Sequence, residues 1–315
     1  MEHHGLLVNL SGVRASSNNG MSKQDKFQGH HGSYTIGGGR TGVLLVHSLG
    51  GTPVELRYLA QGLGRSGFTV SCPFVPGLTA GTDVSGMSTW EDWYAGIEKA
   101  YEDLAKTCDT IFVGGLSAGA VLALHLAAQR PEKIRGLLLF APTLWPNGWA
   151  IPWYFNFFRL VQDRYSARMF RFKQTAPFGI KDERIRKFVL DSFQADDRPV
   201  EDIFGRGGAL VYQFRRMAKA VKRELGKVNQ PTLIMHPRQD DQSDLKNAFK
   251  LQRCLGGLVE MLVLDDCYHM ITLDRQRNLV ADRAVDFAER LNAAERQKVV
   301  RPITSAQRVS TVAAE

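Results

Sequence analysis

Long apolar runs are missing from this sequence: no stretch of about 18 consecutive apolar residues occurs, the minimum for a membrane-crossing helix. The N-terminus also lacks an apolar segment followed by a small-residue cleavage site, so nothing marks the chain for export. Cysteine is scarce. Cys72, Cys108, Cys254 and Cys267 lie far apart and form no C-x-x-C pair, which argues against zinc or dithiol redox motifs and fits reduced thiols in a cytoplasmic protein. Acidic residues are outnumbered, 32 against 40 Lys and Arg, leaving a formal charge of +8. Such a surplus could draw nucleic acid, anionic lipid or an acidic substrate. Much of it lies between Arg159 and Arg223, interspersed with Phe, Tyr and Met, and it reads first as a solvated basic surface, with no nucleic-acid partner expected.

What is present is the ordinary balance of a globular protein, 44% hydrophobic and 23% charged residues, which excludes disorder over the whole chain. The 315 residues suit one large α/β domain with an insertion better than two unrelated domains. Residues 1–31, rich in His, Ser, Asn and Gly, read as a flexible leader or as sequence upstream of a start at Met21, and residues 296–315 as a flexible tail. The folded domain is expected over 32–295.

Within it, short aliphatic runs alternate with helical patterns. Strands are expected at Gly42–His47, Phe68–Pro73, Thr110–Gly114, Gly136–Ala141, Thr232–His236 and Glu260–Asp265. Their continuous apolar centres suit strands covered on both faces. Helices are expected at Val54–Gly64, Thr89–Thr107, Ala118–Gln129, Leu245–Leu255 and Arg275–Arg290, giving an α/β class with a mostly parallel, doubly wound sheet. From about 142 to 227 the alternation stops, and a mainly helical cap inserted above the sheet is the economical account.

One motif carries chemistry. The run Ile111-Phe112-Val113-Gly114-Gly115-Leu116-Ser117-Ala118-Gly119 places G-x-S-x-G between an apolar strand and a helix. A sharp strand-to-helix turn forces the serine backbone into a strained conformation, and flanking glycines leave room for close packing, so Ser117 is a candidate nucleophile. The competing account is a Gly-rich loop in which Ser117 only caps the helix. A serine hydroxyl needs a base, and the base an orienting carboxylate, both at later strand ends. The strand at Thr232–His236 exits into Pro237-Arg238-Gln239-Asp240-Asp241, offering two candidate acids, Asp240 and Asp241. The last strand exits into Cys267-Tyr268-His269, offering His269 as base, while His236 reads as structural and His47, His125 and the leader histidines compete less well. An oxyanion needs two amide donors: Ala118, after the nucleophile, and one from His47-Ser48-Leu49-Gly50-Gly51-Thr52-Pro53, with Leu49 favoured.

These segments resemble a known family. The H-x-x-G-G-T-P loop, the G-L-S-A-G turn, the P-T-L-I strand with R-x-D, and C-x-H-x-I-T-x-D look like bacterial carboxylesterases and monoacylglycerol-lipase-like members of the α/β-hydrolase superfamily, over about residues 42–290. The resemblance implies a Ser117–Asp240–His269 triad, Leu49 and Ala118 amides as oxyanion hole, and a pocket roofed by a cap. It also favours Asp240 over Asp241, because the family's acid follows R-x and the spacing from Asp240 to Ala248 matches. Two positions depart from the pattern: Ser48 stands where Gly is usual, and Gly77-Leu78-Thr79 replaces the usual G-H-G.

The expected activity is therefore hydrolysis of small carboxylic esters with an apolar acyl or aryl group, through an acyl-enzyme on Ser117 and with neither metal nor organic cofactor. Trp145, Trp149, Trp153 and Phe155 either line the acyl pocket or pack together as a cap core. Alternatives are a thioesterase or acyltransferase acting on CoA or carrier-protein acyl groups, a carbon–carbon bond hydrolase with the same triad, and a catalytically silent binding relative. The sequence leaves the oligomeric state open.

Overall fold

The computed structural model describes residues 32–79, 82, 88–174, 176–193 and 206–300; the expected leader and residues 301–315 lie outside them. The chain enters through a short strand β1 (Tyr34–Ile36) and passes to β2 (Thr41–Val46). A 3₁₀ turn with Pro53 at its start leads into α1 (Arg57–Arg65), followed by β3 (Thr69–Cys72). Helix α2 (Trp90–Ala105) starts at a reciprocal cap in which the Thr89 hydroxyl accepts the Asp92 N–H and the Asp92 carboxylate accepts the Thr89 N–H. Strand β4 (Thr110–Leu116), α3 (Ala118–Gln129) and β5 (Ile134–Phe140) complete the first half.

The interval expected to be a cap holds a 3₁₀ segment (Trp153–Leu160), α4 (Arg164–Arg168), β6 (Arg171–Phe172), α5 (Glu183–Phe193), β7 (Arg206–Gly207) and α6 (Gly208–Val221). It is mainly helical, with one small antiparallel pair, β6 with β7. The chain then returns to the sheet as β8 (Thr232–Pro237), α7 (Lys246–Cys254), β9 (Val259–Leu264) and α8 (Arg277–Val300).

The strand order is β1-β3-β2-β4-β5-β8-β9, parallel throughout except for β1, which runs antiparallel along β3. Residues of β2, β4, β5 and β8 are almost wholly buried because helices cover both faces. On one face α2, α3 and α6 pack over Trp93, Ile97, Val113 and Phe214; on the other, α1 and α8 cover Leu59, Phe112, Phe140 and Phe287. Helix α3 is apolar all round because the sheet lies on one side and α6 on the other.

Register decides what meets above the sheet. Val46 of β2 is level with Gly115 of β4, and Pro237 of β8 is level with Leu264 of β9. The loops after β2, β4, β8 and β9 therefore leave from one edge. All six expected strands form within two residues of their limits, whereas β1, three residues long, carries too little pattern to be read. Helix α8 continues to Val300, so residues 296–300 belong to a helix rather than to a tail.

Phe112 is fully buried and meets Phe68 edge-on at a centroid distance of 6.2 Å. Phe112→Ala is expected to lower the unfolding free energy by about 3–5 kcal/mol, read from the midpoint of urea denaturation, because the lost transfer energy and the residual cavity add.

Candidate active site

The turn after β4 is built by close approach. Ser117 has φ 59° and ψ −113°, a conformation rarely adopted by a residue with a side chain, and its N–H donates to the Phe140 carbonyl at 2.9 Å. The two glycines around it face backbone. A Cβ on Gly115 would lie 2.5 Å from the Val46 oxygen, and one on Gly119 would run into the Val46 and His47 carbonyls. Only glycine lets α3 start this near to β2, and that nearness drives the chain through the strained Ser117 position. The Ser117 hydroxyl donates to Thr143 Oγ1 at 3.1 Å, and Thr143 donates in turn to the Ala141 carbonyl at 3.1 Å. The Ser117–His269 hydrogen bond expected from the sequence is not formed here.

His269 is held from behind. Its Nδ1 lies 2.8 and 3.0 Å from the two oxygens of Asp240, and both side chains are buried. Asp240 also accepts the N–H groups of Gln242 and Ser243, each at 2.8 Å, so its charge is met by three donors. Burial works to raise the Asp240 pKa, but the imidazole, His236 and these amides outweigh it and hold the carboxyl below its ordinary value. For His269 burial opposes the charged form, and the charge and hydrogen bond of Asp240 prevail, raising its pKa above the usual histidine value. Asp241 does something else. It accepts the Gly179 N–H at 2.8 Å and the His269 N–H at 3.3 Å, bracing the histidine loop through the backbone, and burial followed by the charge of Asp240 raises its pKa. Asp274 fixes the same loop by accepting the Tyr268, Lys181 and Asp182 amides at 2.7–3.0 Å.

The loop after β2 is anchored on several sides. His47 is buried, and burial lowers its pKa to about 4, so it is neutral; Nδ1–H donates to the Ser48 carbonyl at 3.0 Å while Nε2 accepts the Val75 amide at 3.3 Å. Ser48 gives both its N–H and its hydroxyl to the buried carboxylate of Glu55. Burial raises the Glu55 pKa to about 7. From the cap, Arg206 donates through Nε to the Leu49 carbonyl at 3.1 Å and through Nη1 and Nη2 to Gln242 Oε1 at 3.4 and 3.3 Å. Glu55 and Arg206 were not singled out from the sequence. A glutamate in a helical turn and one arginine among many basic cap residues carry no local signal; the unusual Ser48 was the only hint.

The four aromatic candidates separate. Trp145 and Phe155 are buried together, 5.4 Å between centroids, in a small core with Phe158, Ala167 and Val211. Trp149 is 59% exposed, bonded through its indole N–H to the Gln239 carbonyl, and Trp153 is 75% exposed against Phe157. Among the described residues no group of three or more His, Cys, Asp or Glu side chains is disposed to hold a metal.

A serine on a strained turn, a carboxylate-held imidazole at the neighbouring strand ends and amides facing the same edge can together move a proton and bear a developing negative charge, which is the requirement of acyl transfer. Comparison with known proteins points the same way. Residues 39–276 match the family model described as serine aminopeptidase, S33. The thermostable monoacylglycerol lipase of Bacillus sp. (strain H-257) is 25% identical over 257 residues, 79% of this chain and 90% of that protein. The carboxylesterase of Bacillus subtilis (strain 168) is 22% identical over 263 residues, 82% and 96% of the two chains. Among solved structures, one from a study of the metagenome-derived lipolytic enzymes LipS and LipT superposes with a TM-score of 0.65 at 25% identity, covering 82% of this chain and 98% of that one. A soluble variant of monoglyceride lipase from Saccharomyces cerevisiae gives 0.67 at 19% identity, covering 82% and 91%.

Two outcomes are expected from this geometry. The His269 imidazole, followed by NMR, titrates above the ordinary value of about 6.5, and in Asp240→Asn it titrates lower than in the wild type, because the charge and hydrogen bond that chiefly oppose burial are removed and only Asp241 still raises it. Gly119→Ala lowers stability by about 1–3 kcal/mol in denaturant unfolding through the forced separation of α3 from β2.

Proposed function

The chain belongs to the serine aminopeptidase S33 family, an α/β-hydrolase lineage, and from that membership we propose that it hydrolyses small carboxylic esters through an acyl-enzyme on Ser117. The observation that carries the reading is the strained Ser117 turn set at the same sheet edge as the His269–Asp240 pair. In the proposed sequence the Ser117 hydroxyl turns from Thr143 toward His269. Oγ attacks the ester carbonyl carbon as Nε2 takes its proton. The carbonyl oxygen becomes the oxyanion, held by the Leu49 and Ala118 amides, and Asp240 balances the imidazolium charge. Collapse breaks the carbon–oxygen bond of the ester, and His269 returns the proton to the departing alcohol. Water repeats the cycle and frees the acid.

The relatives named as a monoacylglycerol lipase and a carboxylesterase support an ester with an apolar acyl chain as substrate. The family description names an aminopeptidase, whose substrate presents an α-ammonium group. Here the guanidinium of Arg206 stands against Leu49, a fixed positive charge that opposes such a group and favours the ester reading. Among the described residues no helix is long and apolar enough to cross a membrane. All four cysteines are unpaired, which supports a reducing compartment, the cytoplasm.

A fluorophosphonate probe is expected to label the protein, and Ser117→Ala to remove the label and lower ester turnover by at least about 10⁴-fold. Persistent labelling in that variant would remove Ser117 from the mechanism. If p-nitrophenyl esters of graded chain length stay intact while acyl-CoA thioesters are cleaved, the thioesterase reading replaces the ester one. With an ester substrate, kcat/KM is expected to rise with pH around a midpoint above about 6.5, as His269 loses its proton, and a flat profile between pH 5 and 9 would count against His269 as base.

A further inference from the structure

Leu49 lies in a run of three consecutive peptide groups, each fixed by a different part of the molecule. The peptide joining His47 to Ser48 is held through its N–H by Glu55. The next peptide, joining Ser48 to Leu49, has its carbonyl bonded by His47 Nδ1 at 3.0 Å and by the Gly51 amide at 3.1 Å. The third, joining Leu49 to Gly50, gives its N–H to the Leu78 carbonyl at 2.8 Å and takes the Arg206 guanidinium on its own carbonyl at 3.1 Å. With the Ser48 carbonyl turned back toward His47, the trans geometry of the peptide aims the Leu49 N–H the opposite way. Among the described residues that N–H has no acceptor.

Two of these anchors are ionisable and of opposite type, the Glu55 carboxyl, raised to about 7 by burial, and the Arg206 guanidinium, and they hold the first and the third peptide of the run. Glu55 belongs to the hydrolase core, whereas Arg206 is in the cap strand β7. Arg206 spends Nε, Nη1 and Nη2 on neutral oxygens, and among the described residues no carboxylate comes within ion-pair distance of it. Glu55 and Asp241 act on its charge through space without pairing with it, and one hydrogen bond separates it from the residue assigned to the oxyanion.

We propose that Arg206 is a positioning residue for the reaction: with Glu55 on the other flank it holds the Leu49 amide aimed at the oxyanion, so that a seated cap is a condition of efficient acyl transfer. The inference rests on the ester-hydrolase reading of the Ser117 site. An anchor that orients a transition-state donor acts on kcat and leaves ground-state binding almost untouched. A residue that merely lines the substrate's path acts on KM.

The test compares Arg206→Gln and Arg206→Lys with the wild-type chain on p-nitrophenyl butyrate, alongside the affinity for an alkyl boronic acid, which mimics the tetrahedral intermediate. Arg206→Gln is expected to lower kcat by about 10- to 100-fold, somewhat less than removal of a donor itself, with KM within about threefold and boronate affinity falling in step. Arg206→Lys keeps the charge but not the fork and is expected to recover part of kcat; it also serves as the folded variant if the glutamine form is unstable. Hydrogen exchange of the 47–52 amides is expected to quicken in either variant. Unchanged kcat with unchanged boronate affinity, or a loss confined to KM, overturns the proposal. A wild-type protein that neither cleaves the ester nor takes a fluorophosphonate on Ser117 instead defeats the ester-hydrolase reading, and in that case unaltered exchange of the 47–52 amides in the Arg206 variants overturns the clamp on its own terms.

Discussion

The whole site depends on how near α3 starts to the end of β2. Gly115 and Gly119 carry no Cβ, and the Val46 and His47 carbonyls occupy the space a side chain would need. That approach compresses the passage from β4 to α3 into a single residue, and Ser117 absorbs the strain at φ 59°. It also fixes the distance between the helix start, with its Ala118 amide, and the loop after β2, with its Leu49 amide. One packing constraint thus sets both the placement of Ser117 and the spacing of the two donors assigned to the oxyanion. Local propensity at Ser117 would not produce this turn; the buried sheet register enforces it, with Val46 level with Gly115.

A second consequence follows from register at the other side of the sheet. Strands β8 and β9 end level, so the loops carrying Asp240 and His269 leave side by side and the carboxylate meets Nδ1 at 2.8 Å. A buried carboxylate is costly unless donors surround it. Asp240 has the imidazole and the Gln242 and Ser243 amides, and so remains ionised where its neighbour Asp241, with weaker support and a like charge beside it, is driven toward the neutral form. Two adjacent aspartates with the same covalent chemistry are thereby given different tasks by the direction in which a single loop turns.

How much of this was readable in the sequence depends on whether the signal is local. The six parallel strands were legible because burial on both faces leaves continuous apolar runs, and the Ser117 turn because its glycines and its strand-to-helix setting lie within ten residues. The histidine and aspartate loops were legible as strand exits, but the choice between Asp240 and Asp241 drew on family resemblance, since adjacent residues on a loop point in directions that spacing does not encode. Strand β1 pairs at an edge over three residues and has almost no pattern. Trp145 and Phe155 illustrate a different limit: aromatic clustering in sequence signals burial, and only tertiary packing shows which aromatics bury each other. Arg206 was illegible because its partners, Leu49 and Gln242, lie far off in the chain, and Glu55, though only seven residues from Ser48, because nothing marks a glutamate in a helical turn as the acceptor.

The basic surplus of the cap takes on a different meaning once Arg206 is placed. Arg159, Arg168, Arg171, Lys173, Arg184 and Lys187 are all exposed, where water and salt screen their charge. Arg206 comes from the same interval but turns inward onto the Leu49 carbonyl, where screening is weaker and a unit charge acts over a longer range. In the proposed reaction, a positive charge there would favour the negative oxygen that appears only as the acyl carbon becomes tetrahedral, and would disfavour an ammonium group brought in by the substrate. On that proposal, transition-state stabilisation and substrate selection would have the same source, and the screened surface charge of the cap would contribute little to either.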